Sequence, residues 1–426
     1  MTSTTSPSEK ASGPGAGRVL ALSTSGFTLA FAVWLMLGVL GVPIKRELGL
    51  GVLEFTWLTS IAVLSGSIFR IPFGVLTDRW GGKRVMTGAL LLTAIPCYLM
   101  SRVQSFQEAL ICAFCFGVAG NTFSVGIAWN AAWFERSRQG AALGIFGAGN
   151  VGASLTKLVA PQLMLLLPVT GFVGGRIPGG WRFIPVAYSV LLVSMAAAVW
   201  TFAPRVDRSP GQGRPLRAML APLSELRIWR FGLYYVVVFG AYVALSLWLP
   251  NYYTQVFGLG LPQAALLTAF FIFPASLLRP VGGWLSDKYG GRPVTRLVFA
   301  GMLLASLVLC VPAKTLGLTL FFCTTLLLAV GMGIGKASVY KYVPEYYPAD
   351  VGLVGGLVGT LGALGGFVLP LTFGYLQKAT GRMEICFVVL SALTLGSLIW
   401  LELVVRRITR ATRLSATVES VSAIAA

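Results

Sequence analysis

The sequence has no histidine and little charge of either sign. Only 11% of its 426 residues are charged, whereas a soluble domain carries about 25%. A metal site would have to rely on pairs such as Cys112 and Cys115, but this C-x-x-C lies inside an apolar run and is better explained by small buried side chains. We therefore expect no metal, no cofactor and no catalytic residues.

Long apolar runs take the place of charge. Runs of about 20 residues recur along the chain, which is the length of a helix that crosses a bilayer. They predict an all-α membrane protein with twelve transmembrane helices, near residues 20–42, 53–76, 85–103, 108–132, 140–167, 182–203, 231–251, 263–285, 294–313, 317–343, 352–375 and 384–405. The net charge of +19 lies mainly in short loops, so it indicates no nucleic-acid partner.

The order of the spans predicts the domains. A disordered tail, 1–19, without a cleaved signal peptide, is followed by a six-helix half, 20–203; a basic linker, 204–230, precedes a second half, 231–405, and a tail, 406–426. With the N-terminus in the cytoplasm, cytoplasmic segments hold 20 Lys and Arg against eight outside. This bias predicts a multi-pass plasma-membrane protein with both termini and both tails in the cytoplasm.

One stretch of the first half returns in the second. Residues 67–84, SIFRIPFGVLTDRWGGKR, match residues 276–293, SLLRPVGGWLSDKYGGRP, at a constant offset of 209. Two copies of one unit half a chain apart predict two pseudo-symmetric halves, the layout of a membrane transporter with its site between them.

Acidic residues are missing where basic ones are buried. Five cations are left over from the counts of loops and tails and fall inside the predicted spans, whereas no carboxylate lies at mid-span. They are Arg70, Lys157, Arg279, Lys336 and Lys341. A charge at the bilayer centre costs roughly 2.5–3.5 kcal/mol. The paired arginines could donate to backbone carbonyls, but we favour a central cavity in which the missing counter-ion is a small anion, because a guanidinium presents parallel donors.

Glycine-rich stretches occur in the fifth and eleventh spans. Glycines at such spacing let helices approach and slide. An amide inside a glycine face could donate to a bound anion or bond to a neighbouring helix, and both explanations stay open for Asn150. At an offset of 212 the equivalent pairs are Gly140 with Gly352, Gly144 with Gly356, Gly147 with Gly359, and Asn150 with Gly362.

Charged loops follow both arginine segments. Asp78 with Arg79, and Asp287 with Lys288, lie at equivalent positions at the cytoplasmic span ends. A carboxylate there can pair with a helix end or a cation in one conformation and release it in another. We interpret the two loops as a latch for an inward gate.

The loops at 74–84 and 283–292 resemble the signature loop of the major facilitator superfamily, with Pro293 replacing the last basic residue of the second copy. The chain also resembles the nitrate/nitrite porter (NarK-type) family in LAFAVW (29–34), RQGAALGIFGAGNVGAS (138–154), YVVVFG (235–240) and GTLGALGGF (359–367). These segments run through both halves, so the resemblance covers most of the chain.

The resemblance implies a transporter of nitrate and nitrite that works as a monomer by alternating access. Arg70 and Arg279 would clamp the anion and Asn150 would orient it, while the walls would be formed by Phe31, Phe123, Tyr235 and Phe239.

The chain departs from many members of the family at Lys157, Lys336 and Lys341, where they have amides. Three extra cations near the anion path would strengthen the attraction of the anion. A lysine can also titrate when it is desolvated, so we expect a proton-coupled importer. A nitrate/nitrite exchanger, an organic-anion carrier and a non-transporting anion sensor remain alternatives.

Overall fold

The computed structural model describes residues 15–172, 177–208, 220–347 and 351–425, so residues 1–14 of the predicted tail and 209–219 of the predicted linker lie outside it. The surroundings of Gly140 and Gly352 are likewise outside the described part. The first half consists of α1 (Ala16–Trp34), α2 (Leu37–Glu47), α3 (Val52–Ile68), α4 (Arg70–Trp80), α5 (Gly82–Met100), α6 (Phe106–Phe116), α7 (Thr122–Trp133), α8 (Arg136–Gly147), α9 (Gly152–Leu166) and α10 (Phe183–Phe202).

The second half is also helical. Short 3₁₀ turns (Gly117–Asn121, Ala148–Val151) join helices of one span in the first half, and a π-helical turn (Val236–Gly240) does so in the second. The helices of the second half are α11 (Leu226–Tyr235), α12 (Ala241–Val256), α13 (Leu261–Leu277), α14 (Arg279–Tyr289), α15 (Gly291–Leu309), α16 (Ala313–Tyr340), α17 (Tyr342–Tyr346), α18 (Val351–Thr380) and α19 (Ile385–Ala425).

The helices account for the predicted spans. In the described part of the chain ten helical segments are long and apolar enough to cross a membrane, and the bent pair α3–α4 makes an eleventh. The remaining predicted span, 85–103, corresponds to α5, a helix of 19 residues. An all-α membrane bundle is thus confirmed.

Each half breaks a helix directly before its arginine. Phe69 has φ −85° and ψ 1°, and Leu278 has φ −82° and ψ 2°. Pro72 follows Arg70 by two residues and Pro280 follows Arg279 directly. A proline provides no N–H to the preceding turn and clashes with its carbonyl, so the sequence itself accounts for both breaks.

The loops after these helices turn in the same way. Gly81 has φ 82° and Gly290 has φ 89°, a region that residues with a Cβ rarely adopt. The repeat seen in the sequence is therefore a repeat of backbone geometry.

Helix ends differ from the predicted span ends at three places. Helix α1 begins at Ala16, inside the predicted disordered tail, and α11 begins at Leu226, inside the predicted linker. Helix α19 runs from Ile385 to Ala425, through the predicted C-terminal tail. Hydropathy marks the length that lies in lipid, whereas the helical hydrogen-bond ladder can continue beyond it.

The two halves meet closely at one end of the bundle. We call the end with Ala16 the termini face, and the end with Glu47 the opposite face. A Cβ at Gly38 in α2 would lie 2.8 Å from the carbonyl oxygen of Ser246 in α12. Near the same end, Trp57 Nε1 donates to the hydroxyl of Tyr375 (3.4 Å).

Candidate functional site

The guanidinium of Arg70 lies between the two halves and is 3% exposed. Its Nε donates to the carbonyl of Gly66 in its own span (3.1 Å), and Nη1 donates to the carbonyl of Gly359 in the other half (2.9 Å). The carbonyl contacts that the sequence allowed are thus present. They satisfy two donors but leave the positive charge unbalanced.

Arg279 occupies the equivalent position in the second half and is partly exposed. Its Nη1 has no hydrogen-bond partner among the described residues, and a Cβ at Gly147 would lie 3.1 Å from it. Gly147 and Gly359 are equivalent in the repeat. Each arginine therefore lies against the glycine of the opposite half.

Aromatic rings separate and flank the two guanidinium groups. The ring of Phe123 lies 5.3 Å from Cζ of Arg70 and 6.0 Å from Cζ of Arg279. Phe239 lies 5.7 Å from Cζ of Arg70. These distances are within the range of cation–π attraction, so both predicted wall residues contact the cations.

Tyr235 and Phe31 take different places. The ring of Tyr235 stacks on Phe239 at 5.2 Å, and its hydroxyl interacts electrostatically with both arginines. Phe31 packs on Trp34 at 5.4 Å. Trp34, rather than Phe31, lies over Arg70, at 5.7 Å from Cζ.

Two further aromatic residues of the site were missed in the sequence. The ring of Tyr340 lies 5.3 Å from Cζ of Arg279, and Tyr242 lies beside Lys336. Spacing carried a signal for both, because Tyr340 follows Lys336 by four residues and Tyr242 follows Phe239 by three, which places each pair on one helix face.

Asn150 lies in the 3₁₀ turn between α8 and α9 and is 1% exposed. Neither the oxygen nor the nitrogen of its side-chain amide has a hydrogen-bond partner in the described chain. A buried amide is nearly always partnered. In this conformation the side-chain amide of Asn150 is therefore not bonded to a neighbouring helix, although its backbone carbonyl accepts from the hydroxyl of Tyr242 (3.5 Å).

Lys336 lies beside the arginine pair. It is fully buried, its Nζ donates to the carbonyl of Ala275 (2.8 Å), and the same atom lies 3.2 Å from the ring centroid of Tyr242. The hydroxyl of Tyr242 shares a hydrogen bond with Ser276 (3.0 Å). Lys336 also interacts electrostatically with Arg279, so an anion held there would meet both cations.

The other two lysines lie elsewhere. Lys157 in α9 is 1% exposed, and its Nζ has no partner among the described residues. Lys341 follows α16 at the termini face, where it forms an ion pair with Asp287. Lys341 is thus separate from the central site, because it lies at a helix end beside the charged loop.

The charged loop of the second half contacts a neighbouring helix and nearby aromatic rings. In this loop Asp287 pairs with Lys341 and the exposed Lys288 lies over the rings of Trp284 and Tyr289. The first-half loop contains Asp78 and the exposed Arg79.

A linker residue, Asp207, also binds the first half. It accepts hydrogen bonds from the backbone N–H of Lys83 (2.7 Å) and from the indoles of Trp129 (2.9 Å) and Trp133 (3.2 Å). No sequence pattern predicted this role for Asp207, since its partners are distant along the chain.

The predicted gating glycines fall into two groups. A Cβ at Gly144 or Gly356 would meet nothing within 4 Å among the described atoms. One at Gly362 would lie 2.2 Å from the ring of Tyr235. The glycines nearer the termini face thus face open space, whereas those at the arginines and beyond are packed.

Four ion pairs of the described part of the chain do not include Arg70, Arg279 or Lys336. They join Arg182 with Glu47, Arg292 with Glu345, Arg296 with Glu402, and Lys341 with Asp287. The central cations therefore form a site with donors, aromatic walls and an unmatched positive charge.

Three comparisons with known proteins agree with this architecture. The family model described as Major Facilitator Superfamily matches residues 22–370. The chain is 56% identical to the "Probable nitrate/nitrite antiporter NarK1" of Thermus thermophilus, over 92% of each chain. It is 32% identical to the "Nitrite extrusion protein" of Bacillus subtilis (strain 168), over 89% of this chain and 92% of that one.

The fold also matches a solved structure. A bacterial homologue of the human lysosomal transporter Spinster, in an inward-facing and occupied conformation, superposes with a TM-score of 0.72 at 15% identity, covering 93% of this chain and 98% of the other. Two related helical halves around a charged centre define a membrane transporter rather than an enzyme. The chain belongs to the Major Facilitator Superfamily, and within it to the NarK-type nitrate/nitrite porter family.

Proposed function

We propose that this protein carries nitrate, and also nitrite, across the membrane by alternating access, and that it imports nitrate together with protons. The observation that carries this proposal is the arginine pair. Arg70 and Arg279 come from different halves, both lie within about 6 Å of the Phe123 ring, and neither has a carboxylate partner among the described ion pairs.

The chemistry of this site fits a small planar oxyanion. Nη1 of Arg279 and the amide nitrogen of Asn150 are buried donors without an acceptor among the residues that the structure describes. The rigid fork of a guanidinium can give parallel hydrogen bonds to two oxygens. The names of the relatives from Thermus and Bacillus agree with nitrate or nitrite as that anion.

The cycle follows from where the halves touch. In this conformation they are in contact at the opposite face, while Gly144 and Gly356 face open space towards the termini face. We assign the termini face to the cytoplasm from the excess of Lys and Arg there. The structure would then be open inward, and closing it would bring the two glycine faces together, with the loops of Asp78 and Asp287 acting as the latch.

Lys336 is our candidate for the proton. It lies beside Arg279 and has one hydrogen-bond acceptor, the carbonyl of Ala275. An anion bound beside these two cations would offset their repulsion, so protonation of Lys336 would be linked to anion binding. Such linkage is what a symporter needs.

Nitrate/nitrite exchange is the second candidate, favoured by the printed name of the Thermus relative. In an exchanger the bound anion alone lowers the cost of bringing the opposed cations together, and the lysine supplies only positive charge. The two mechanisms share the site and differ in what drives the flux.

A transport assay with the purified protein in liposomes distinguishes symport from exchange. Nitrate uptake would be measured with an inward proton gradient, with and without nitrite trapped inside, and Arg279→Gln would be the control for flux through the site. Uptake driven by the gradient alone supports symport, whereas uptake only with internal nitrite assigns exchange. Competition by larger carboxylates would point to an organic-anion carrier, and binding without flux to a sensor.

A further inference from the structure

Three buried polar side chains follow one another along the fifth span. Asn150, Ser154 and Lys157 are each at most 1% exposed. Four of their polar atoms have no hydrogen-bond partner among the described residues: Asn150 Oδ1 and Nδ2, Ser154 Oγ and Lys157 Nζ. Since buried polar groups are nearly always partnered, four such atoms on one span need an explanation.

These side chains share one face of the span. Spacings of four and three residues place successive side chains above one another on a helix. Gly147 shows which way this face points, because it lies three residues before Asn150. A Cβ built at Gly147 would lie 3.1 Å from Arg279 Nη1. At about 1.5 Å per residue, the stripe therefore runs from the arginine pair towards the opposite face, with Lys157 about 10 Å beyond Asn150.

The second half provides an internal comparison. At the offset of 212 the equivalent residues are Gly362, Gly366 and Leu369. A Cβ at Gly362 would lie 2.2 Å from the Tyr235 ring, and one at Gly366 would lie 2.6 Å from Val243. The fold can thus close this face with apolar packing. The polar residues of the first half are not required by helix packing.

We propose that Ser154 and Lys157 form a second station for the transported oxyanion, on the side of the arginine pair nearer the opposite face. The hydroxyl and the ammonium are donors about one turn apart, and an oxyanion supplies the acceptor that each lacks. An anion arriving from the opposite face meets this station before the arginines. The inference rests on the proposed function and adds a binding site to it.

The test is the number of nitrate ions bound by the full-length protein in lipid nanodiscs, measured by equilibrium dialysis. We expect two for the unmodified protein and one for Lys157→Met. Arg279→Gln should also bind one, at the outer station, and the double variant none. Lys314→Gln removes an exposed lysine and is the matched control for the change of charge, with two ions expected.

Each outcome supports or overturns the second station. One nitrate in both the unmodified protein and Lys157→Met would overturn the second station and leave the proposed function intact. No nitrate in the unmodified protein would overturn both. If Lys157→Met does not fold, Ser154→Ala takes its place: a second ion bound several-fold more weakly supports the station, and unchanged binding overturns it.

Discussion

A methyl group at Gly359, in the second half, should weaken nitrate binding at the arginine pair. In Gly359→Ala the new Cβ would lie 2.7 Å from the hydroxyl of Tyr340. That hydroxyl is held by its hydrogen bond to the carbonyl of Gly355 (2.8 Å), so it must give up this bond or push the backbone. The backbone carbonyl of Gly359 itself accepts a hydrogen bond from Arg70.

The magnitude follows from these contacts. Loss of one hydrogen bond costs about 0.5–1.5 kcal/mol, and forcing a methyl into packed space costs about 1–3 kcal/mol. If about 1 to 3 kcal/mol of these two costs is lost from the free energy of anion binding, nitrate binding weakens by about 5–150-fold.

The assay is nitrate affinity of the purified protein, measured beside its thermal stability. Gly356→Ala is the matched control, because a Cβ there meets nothing within 4 Å and the chemical change is the same. We expect Gly356→Ala to keep both the affinity and the melting temperature. Transport by this control would report separately on closure of the glycine faces.

Equal nitrate affinity in Gly359→Ala and Gly356→Ala would refute the reasoning. It would mean that Tyr340 and the Gly359 carbonyl do not hold Arg70 in its binding position. A loss of affinity in both variants would indicate instead that the whole glycine stripe is packed in the anion-bound state.

Three further predictions use other parts of the structure. Lys336→Gln should abolish the dependence of nitrate uptake on a proton gradient, while Lys341→Gln keeps it; a dependence that persists in Lys336→Gln would remove this lysine from coupling. Asp207→Ala leaves four donors without their acceptor and should lower stability by at least about 2 kcal/mol, seen as a lower melting temperature. Glu225→Ala loses one hydrogen bond from an exposed hydroxyl, so its melting temperature should stay near the unmodified value. Arg70→Lys keeps the charge but loses the fork, so nitrate binding measured by dialysis should weaken about tenfold, or about 1.4 kcal/mol; an unchanged affinity would argue against a two-point contact.

The sequence by itself determined the helical spans, the repeat and the arginine pair. Hydropathy and the positions of Pro72 and Pro280 act through the chain's own backbone, and the same local signals recur in both halves. The absence of mid-span carboxylates could be read directly, since composition does not depend on the fold. Arg70 and Arg279 could therefore be predicted to face one cavity, whereas Phe123 and Phe239 were predicted only from the resemblance to the nitrate/nitrite porter family.

Only the tertiary structure decided which side chains complete the site. Lys336 and Lys341 are five residues apart, yet one lies beside Arg279 and the other pairs with Asp287, because partner choice depends on what the neighbouring helix presents. The unpartnered stripe that ends at Lys157, and the hold of Asp207 on the first half, arise from packing between segments distant along the chain. Hydrophobic periodicity identifies the buried face of a helix, but it does not identify the residues that face it.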